Sequence, residues 1–178
     1  LLLVDGQGCR PFDATRAGMS LGEGGALLVL EAEEHAVRRG ARILGRLSGW
    51  GLSCDAYHTT APHPQGAGAA AAMQAALRRA GLEPGAIGYV NAHGTGTRDN
   101  DVAEMVALKV VFHNRVPAFS STKRVFGHAL AASGALEAVV CLEALRRQEL
   151  PPNPGYERCD PTIGLEPVTR LEHAPLQH

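Results

Sequence analysis

Apolar positions change their period several times along the chain, and each change marks an element. Gly24 to Glu31, GGALLVLE, is a continuous apolar run that predicts a short buried strand. The following EAEEHAVRRG places acids first and bases last, which suits the helix macrodipole, and Gly40 falls where a C′ residue belongs. Arg42 to Ser53 alternates imperfectly and predicts a second, long strand, while Asp55 to Gly68, with its Pro, His and Thr residues, reads as a loop. Ala69 to Ala80 predicts a helix ended by Gly81, and Pro84-Gly85 turns the chain into a strand from Ile87 to Asn91. Val102 to Phe112 has helical spacing, with Asp99 to Asp101 offering caps. Pro117 to Ser121 predicts a short strand, Ala129 to Arg147 a long helix, and PPNPGYERCDP a loop. Strands alternating with helices imply a layered α/β architecture, without internal repeats or a low-complexity linker.

The long helix carries the sharpest structural expectation. ALAASGALEAVVCLEAL, Ala129 to Leu145, is apolar or small almost all round, so it should lie between layers with no solvent face. Glu137 then sits mid-helix, where an unpaired carboxylate is costly. Either it has a cationic partner or it faces a solvent gap.

Composition removes several function classes. The 178 residues suffice for one large domain or two small ones, and 17 basic against 18 acidic residues leave a net charge of −1. No basic stripe is present, which argues against nucleic acid as a partner. No apolar run approaches the roughly 18 residues of a membrane span. Leu1-Leu2-Leu3-Val4 meets Asp5 at once with no basic residue before it, unlike a signal peptide. Cys9, Cys54, Cys141 and Cys159 form no CxxC pair, which suits a reducing, cytoplasmic setting. The chain opens on Leu rather than Met and ends on LEHAPLQH without a helix cap or strand closure. It is therefore expected to be part of a longer protein, incomplete at both ends.

Candidate chemistry gathers on two histidines. His93 ends an apolar run just before Gly94-Thr95-Gly96-Thr97, the strand-to-turn junction where α/β folds place their sites. His128 precedes the long helix, whose positive dipole end disfavours imidazolium, so a neutral ring is expected. A neutral imidazole donates one N–H to a developing oxyanion, and two such rings suggest a paired oxyanion device. Lys123 lies five residues before His128, on the loop entering the same helix. Taken singly, each has a plainer explanation: a structural histidine, a solvated lysine. Zinc is a poor alternative because no HExxH or other close ligand spacing occurs, and GTGT lacks both GxxxxGK[ST] and GxGxxG, so a phosphate cradle is discounted.

Four ordered segments carry a family resemblance: RPFDATRAGMSLGEGGALLVLE, CDAYHTTAPHPQGAGAAAAMQAAL, NAHGTGT and SSTKRVFGHALAASGALEA. Together, over roughly Gly8 to Pro161, they resemble the C-terminal half of the β-ketoacyl-acyl-carrier-protein synthases, the condensing enzymes of fatty acid and polyketide synthesis. The resemblance implies a thiolase-like fold, two related halves stacked as five αβαβα layers, with residues 1–178 covering most of the C-terminal half. It implies acyl transfer to a cysteine, decarboxylation of a malonyl thioester, and Claisen condensation. His93 and His128 match the histidine pair that stabilises the enolate, Lys123 the lysine supporting the second histidine, and Glu137 a buried acid of the same network. Thr95 and Thr97 match threonines bonding the pantetheine arm, and Thr60 in YHTT a further threonine on that channel. No metal or cofactor is implied beyond the phosphopantetheine of acyl carrier protein. The implied partners are acyl carrier protein, an upstream half bearing the cysteine, and either a second copy or a chain-length factor as dimer partner.

The chain also departs from the pattern. The nucleophilic cysteine belongs to an upstream segment, and none of the four cysteines sits at a helix N-terminus or beside a cation that would activate it. The glycine-rich closing strand is not within the sequence, Phe126 stands where a smaller residue is common, and Ala17 where an acid is common. The competing expectation is a non-catalytic chain-length-factor-like partner, and a plain docking domain for acyl carrier protein is a third. Such partners often lose one or both histidines, so retention of His93, His128 and Lys123 favours the enzyme.

Overall fold

The computed structural model describes residues 5–113 and 115–178, so the opening apolar tetrad lies outside the described residues. Its elements run α1 (Glu33–Arg38), α2 (Ala67–Ala80), β1 (Tyr89–Asn91), α3 (Arg98–Phe112), β2 (Ala118–Ser120), α4 (Lys123–Phe126), α5 (Ser133–Arg147), β3 (Glu149–Leu150) and β4 (Glu172–His173). Single 3₁₀ turns occur at Pro84–Ala86 and Leu130–Ala132.

A β1–α3–β2 unit positions the site. β1 and β2 are parallel, with Tyr89 opposite Ala118, Val90 opposite Phe119 and Asn91 opposite Ser120. Parallel strands need a crossover, and α3 supplies it. The core lies beneath: Phe12, Ala92, Met105, Leu108, Val111, Phe112, Phe119 and Ile163 are buried together, with Phe12 and Phe119 edge to face at 5.2 Å. Burying such side chains contributes about 1.5–3 kcal/mol each. α2 packs on α3 through small residues, and a Cβ on Gly66 would collide with the Ala103 carbonyl. Abundant Ala and Gly thus act as spacers that let helices approach.

Several expectations are met. α2 ends at Gly81 in the left-handed conformation, with Gly81 N–H bonded back to Arg78 and Leu82 N–H to Leu77. α1 has Glu33 and Glu34 in its first turn and Arg39 as its C-cap, followed by Gly40 with a positive φ, although the helix is only six residues long.

Others need correction. Gly24 to Glu31 is not a buried strand: it has no ladder partner among the described residues, and Leu27 is 98% exposed, with Val29 and Leu30 also open. Arg42 to Ser53 likewise forms no ladder, leaving Leu44, Leu47, Trp50 and Leu52 exposed. The inner side of this second segment is close-packed, since a Cβ on Gly49 or Gly51 would strike α2 backbone and one on Gly45 would strike Leu142. An apolar strand is buried only if something covers its outer face, and the described residues supply no cover. The long helix is also not sheathed on all sides. It starts at Ser133 after a 3₁₀ turn, because Leu130 takes a positive φ, and only Ser133 and Ala144 are buried. α3 begins at Arg98 rather than Val102, with Thr97 as N-cap and no side-chain cap bond. Asp99 and Asp101 occupy its first turn instead of capping it. The C-terminal segment does contain strand closure, Glu172–His173 pairing antiparallel with Glu149–Leu150.

Candidate active site

Parallel strands end together, so the residues following β1 and β2 share one rim. Ala92 and His93 follow β1, and Ser121, Thr122 and Lys123 follow β2. Lys123 is not in a loop, as expected from sequence, but opens the short α4. Its residue is only 2% exposed, yet its ammonium has two partners: Nζ donates to Glu137 Oε1 and lies 3.2 Å from His93 Nδ1. The question posed by Glu137 is thereby answered. It has a cationic partner, and α5 carries it to Lys123 across 14 residues of sequence.

The lysine's histidine partner also differs from expectation. Lys123 bonds His93, not His128. His128 is held instead by Leu130 N–H, 3.1 Å from its Nδ1, and by Ser133 Oγ at 3.0 Å from the same atom. Donors on both Nδ1 atoms leave the proton of each neutral ring on Nε2. Neither Nε2 has a hydrogen-bond partner among the described residues. The two rings stand edge to face with centroids 5.1 Å apart. Two neighbouring rings thus each keep an unpartnered Nε2, the kind of N–H donor that a developing oxyanion uses.

Electrostatics keep both rings neutral. His93 is pushed down to about 4, by desolvation of its inner edge first, then by the Lys123 ammonium and His128. His128 is lowered too, by burial and then by Lys123. His93 nonetheless exposes a face to solvent, which is what a group meeting substrate needs.

The backbone around the rings is tightly specified. His128 N–H donates to Ser20 carbonyl at 2.7 Å, and Gly22 N–H to the His128 carbonyl at 3.2 Å. There Gly22 and Gly127 cross so closely that a Cβ on Gly127 would lie 2.5 Å from Gly22 Cα, and Gly127 has φ +72°. Gly94 has φ +41° and no room for a Cβ beside Ser121. Ser121 itself donates to the Gly94 carbonyl at 3.1 Å, while its N–H reaches buried Asn153 at 2.8 Å.

Residues that sequence reasoning did not assign to the site complete the frame. Glu104 on α3 accepts N–H bonds from His93 at 2.6 Å and Gly94 at 2.9 Å, clamping the turn with both oxygens. Burial pushes its carboxyl up to about 7 against those two bonds. Asp101, fully buried, accepts from Phe12 N–H at 2.8 Å and Gly96 N–H at 3.2 Å, with Arg16 Nε at 3.6 Å. Arg16 continues to Asp160 at 2.5 Å. The available signal was spacing: Asp101 and Glu104 are i and i+3 on one helix, hence on one face. Glu104→Gln places an amide NH₂ against a backbone N–H. We expect activity of the complete protein to fall about tenfold, the scale of one lost charge-assisted bond. Steady-state kinetics with unchanged kcat would overturn that role.

Thr95 and Thr97 are joined hydroxyl to hydroxyl at 2.8 Å on the Gly-Thr turn. Thr60 is not brought into contact with them. It lies on the exposed loop where His58 Nδ1 accepts the Thr60 and Ala61 N–H groups. The cysteines are free, and burial raises the Cys141 thiol rather than activating it. Among the described residues no cluster of metal ligands occurs, and no helix is long and apolar enough to cross a membrane.

This arrangement has known counterparts. The family described as beta-ketoacyl synthase, C-terminal domain, matches residues 44–157. The chain belongs to that family. A 3-oxoacyl-[acyl-carrier-protein] synthase 2 from Synechocystis sp. is 45% identical over 161 residues, 89% of this chain and 39% of the relative. The ishigamide ketosynthase/chain length factor superposes with TM-score 0.93 at 39% identity, covering 98% of this chain and 43% of that one. A type II polyketide acyl-carrier protein in complex with its ketosynthase, bound to the hexaketide, gives TM-score 0.92 at 33% identity, covering 96% and 42%. The fold is therefore the α/β, thiolase-like fold of ketosynthases, and the chain spans about two-fifths of the length of the relatives it matches.

Proposed function

We propose that the protein containing this chain catalyses decarboxylative Claisen condensation of an acyl-enzyme thioester with malonyl-acyl carrier protein, in fatty acid or polyketide synthesis. The observation that carries this reading is the pair of free Nε2–H donors on His93 and His128, backed by Lys123 and Glu137. Loss of CO₂ from the malonyl group leaves its electron pair on the α-carbon as an enolate. Two N–H donors stabilise the enolate oxygen. The carbanion then attacks the acyl thioester carbon, and the thiolate of an upstream cysteine leaves. Lys123 and Glu137 act through His93, holding its tautomer, and Thr95 and Thr97 bond the pantetheine arm, with Thr60 further along the same channel. No metal or cofactor is required beyond the carrier's phosphopantetheine. The partners are acyl carrier protein, the upstream half, and a second copy or a chain-length factor. Residues 1–178 act as one half-domain of the layered core.

A chain-length-factor role is the competing reading, and the intact histidine pair weighs against it. The complete protein incubated alone with acyl and carboxyl-labelled malonyl carrier is expected to release labelled CO₂ and form a β-ketoacyl product. A chain-length factor would do neither alone and would only raise the activity of an added ketosynthase.

A further inference from the structure

We propose that Ser133 is a positioning residue for His128: its hydroxyl donates to Nδ1 and holds the ring in the Nε2–H form that faces substrate. This deepens the reading above and rests on it for one of its two readouts. Leu130 N–H can only donate, so Nδ1 must present its lone pair. The Ser133 hydroxyl, 3.0 Å from the same atom, must then be a donor as well. Two donors therefore share one ring nitrogen, and both favour the unprotonated Nδ1.

Burial adds to the argument. Ser133 is buried at the first position of α5, so its bond to His128 competes little with water. The backbone donor alone is less secure, because Leu130 holds a positive φ at a non-glycine residue and is exposed. The hydroxyl, delivered by a 15-residue helix, is a second and stiffer anchor. The charged and titratable groups around His128 are Lys123 from α4, His93 from the turn after β1, and Glu137 from α5, which reaches it only through Lys123. None of them bonds Nδ1 of His128, so none replaces the hydroxyl.

The sign follows from the chemistry. A donor to Nδ1 stabilises the neutral ring, so its removal makes His128 easier to protonate. Activity, which needs neutral rings, is then lost at a higher pH as the solution is acidified.

The test compares the complete protein with its Ser133→Ala variant by two measurements. One is the pH profile of malonyl decarboxylation. The other is ¹⁵N NMR titration of His128, assigned by its absence in His128→Gln. We expect the acid limb and the His128 titration both to move up by about half to one pH unit, the equivalent of one net hydrogen bond. The decarboxylation rate near neutral pH should fall about three- to tenfold. An unchanged His128 titration overturns the proposal, even if the variant is slower, since slowing alone is what a merely structural serine would give. Should the parent protein show no decarboxylation, the functional reading fails, while the titration still decides the role of Ser133.

Discussion

His93→Ala in the complete protein should slow malonyl decarboxylation by about 10² to 10³, the effect of losing one preorganised oxyanion donor. His93 is the better placed of the two histidines to show so large a loss. It is exposed, its Nε2 has no partner among the described residues, and the Lys123 ammonium, itself held by Glu137, lies against its Nδ1. Loss of the ring also leaves Lys123 with one partner instead of two. Acyl transfer to the upstream cysteine, which builds no enolate, should be much less affected. Labelled CO₂ release and single-turnover acylation, measured on the same variant, separate the two steps. Decarboxylation at the parental rate would refute the assignment.

Asp101→Leu should destabilise the protein by about 3–5 kcal/mol, the range for removing one partner of a buried ion pair. The carboxylate bonds the N–H groups of Phe12 and Gly96 and faces Arg16, itself only 2% exposed. Its removal strands two backbone donors at once and leaves the buried Arg16 guanidinium with Asp160 and the Asp13 carbonyl as its remaining partners. Burial raises the Asp101 carboxyl above the usual range, and the Phe12 N–H, Asn100, Arg16 and the Gly96 N–H offset that only in part. Asp101→Asn keeps an acceptor and should cost roughly half as much. Urea unfolding midpoints of the complete protein check both, and an unchanged midpoint in the Leu variant would show that the network carries no weight. Because Gly96 lies between Thr95 and Thr97, the Leu variant should also raise KM for the carrier-bound substrate.

The pattern of residues was sufficient for the parts of the fold that satisfy themselves locally. α2 is stopped by Gly81, and the β1–α3–β2 unit is visible as strand, helix and strand, because turn chemistry and helical period act over a few residues. The ordered motifs likewise marked His93, Lys123, His128 and Glu137 as candidates. Pairing was another matter. Which histidine Lys123 touches depends on the register of β1 against β2, which is set by long-range packing of Phe12, Met105 and Phe119. The partners of Glu104, Asp101 and Ser133 were hidden for the same reason: an acid or serine on a helix looks alike whether it faces water or a turn across the fold. The two expected strands failed in the opposite way. Their apolar runs record a demand for cover, and period alone cannot say whether a neighbour meets it. Local chemistry thus chose the self-sufficient elements and the candidate groups, whereas contacts between residues distant in sequence chose each group's partner, tautomer and charge.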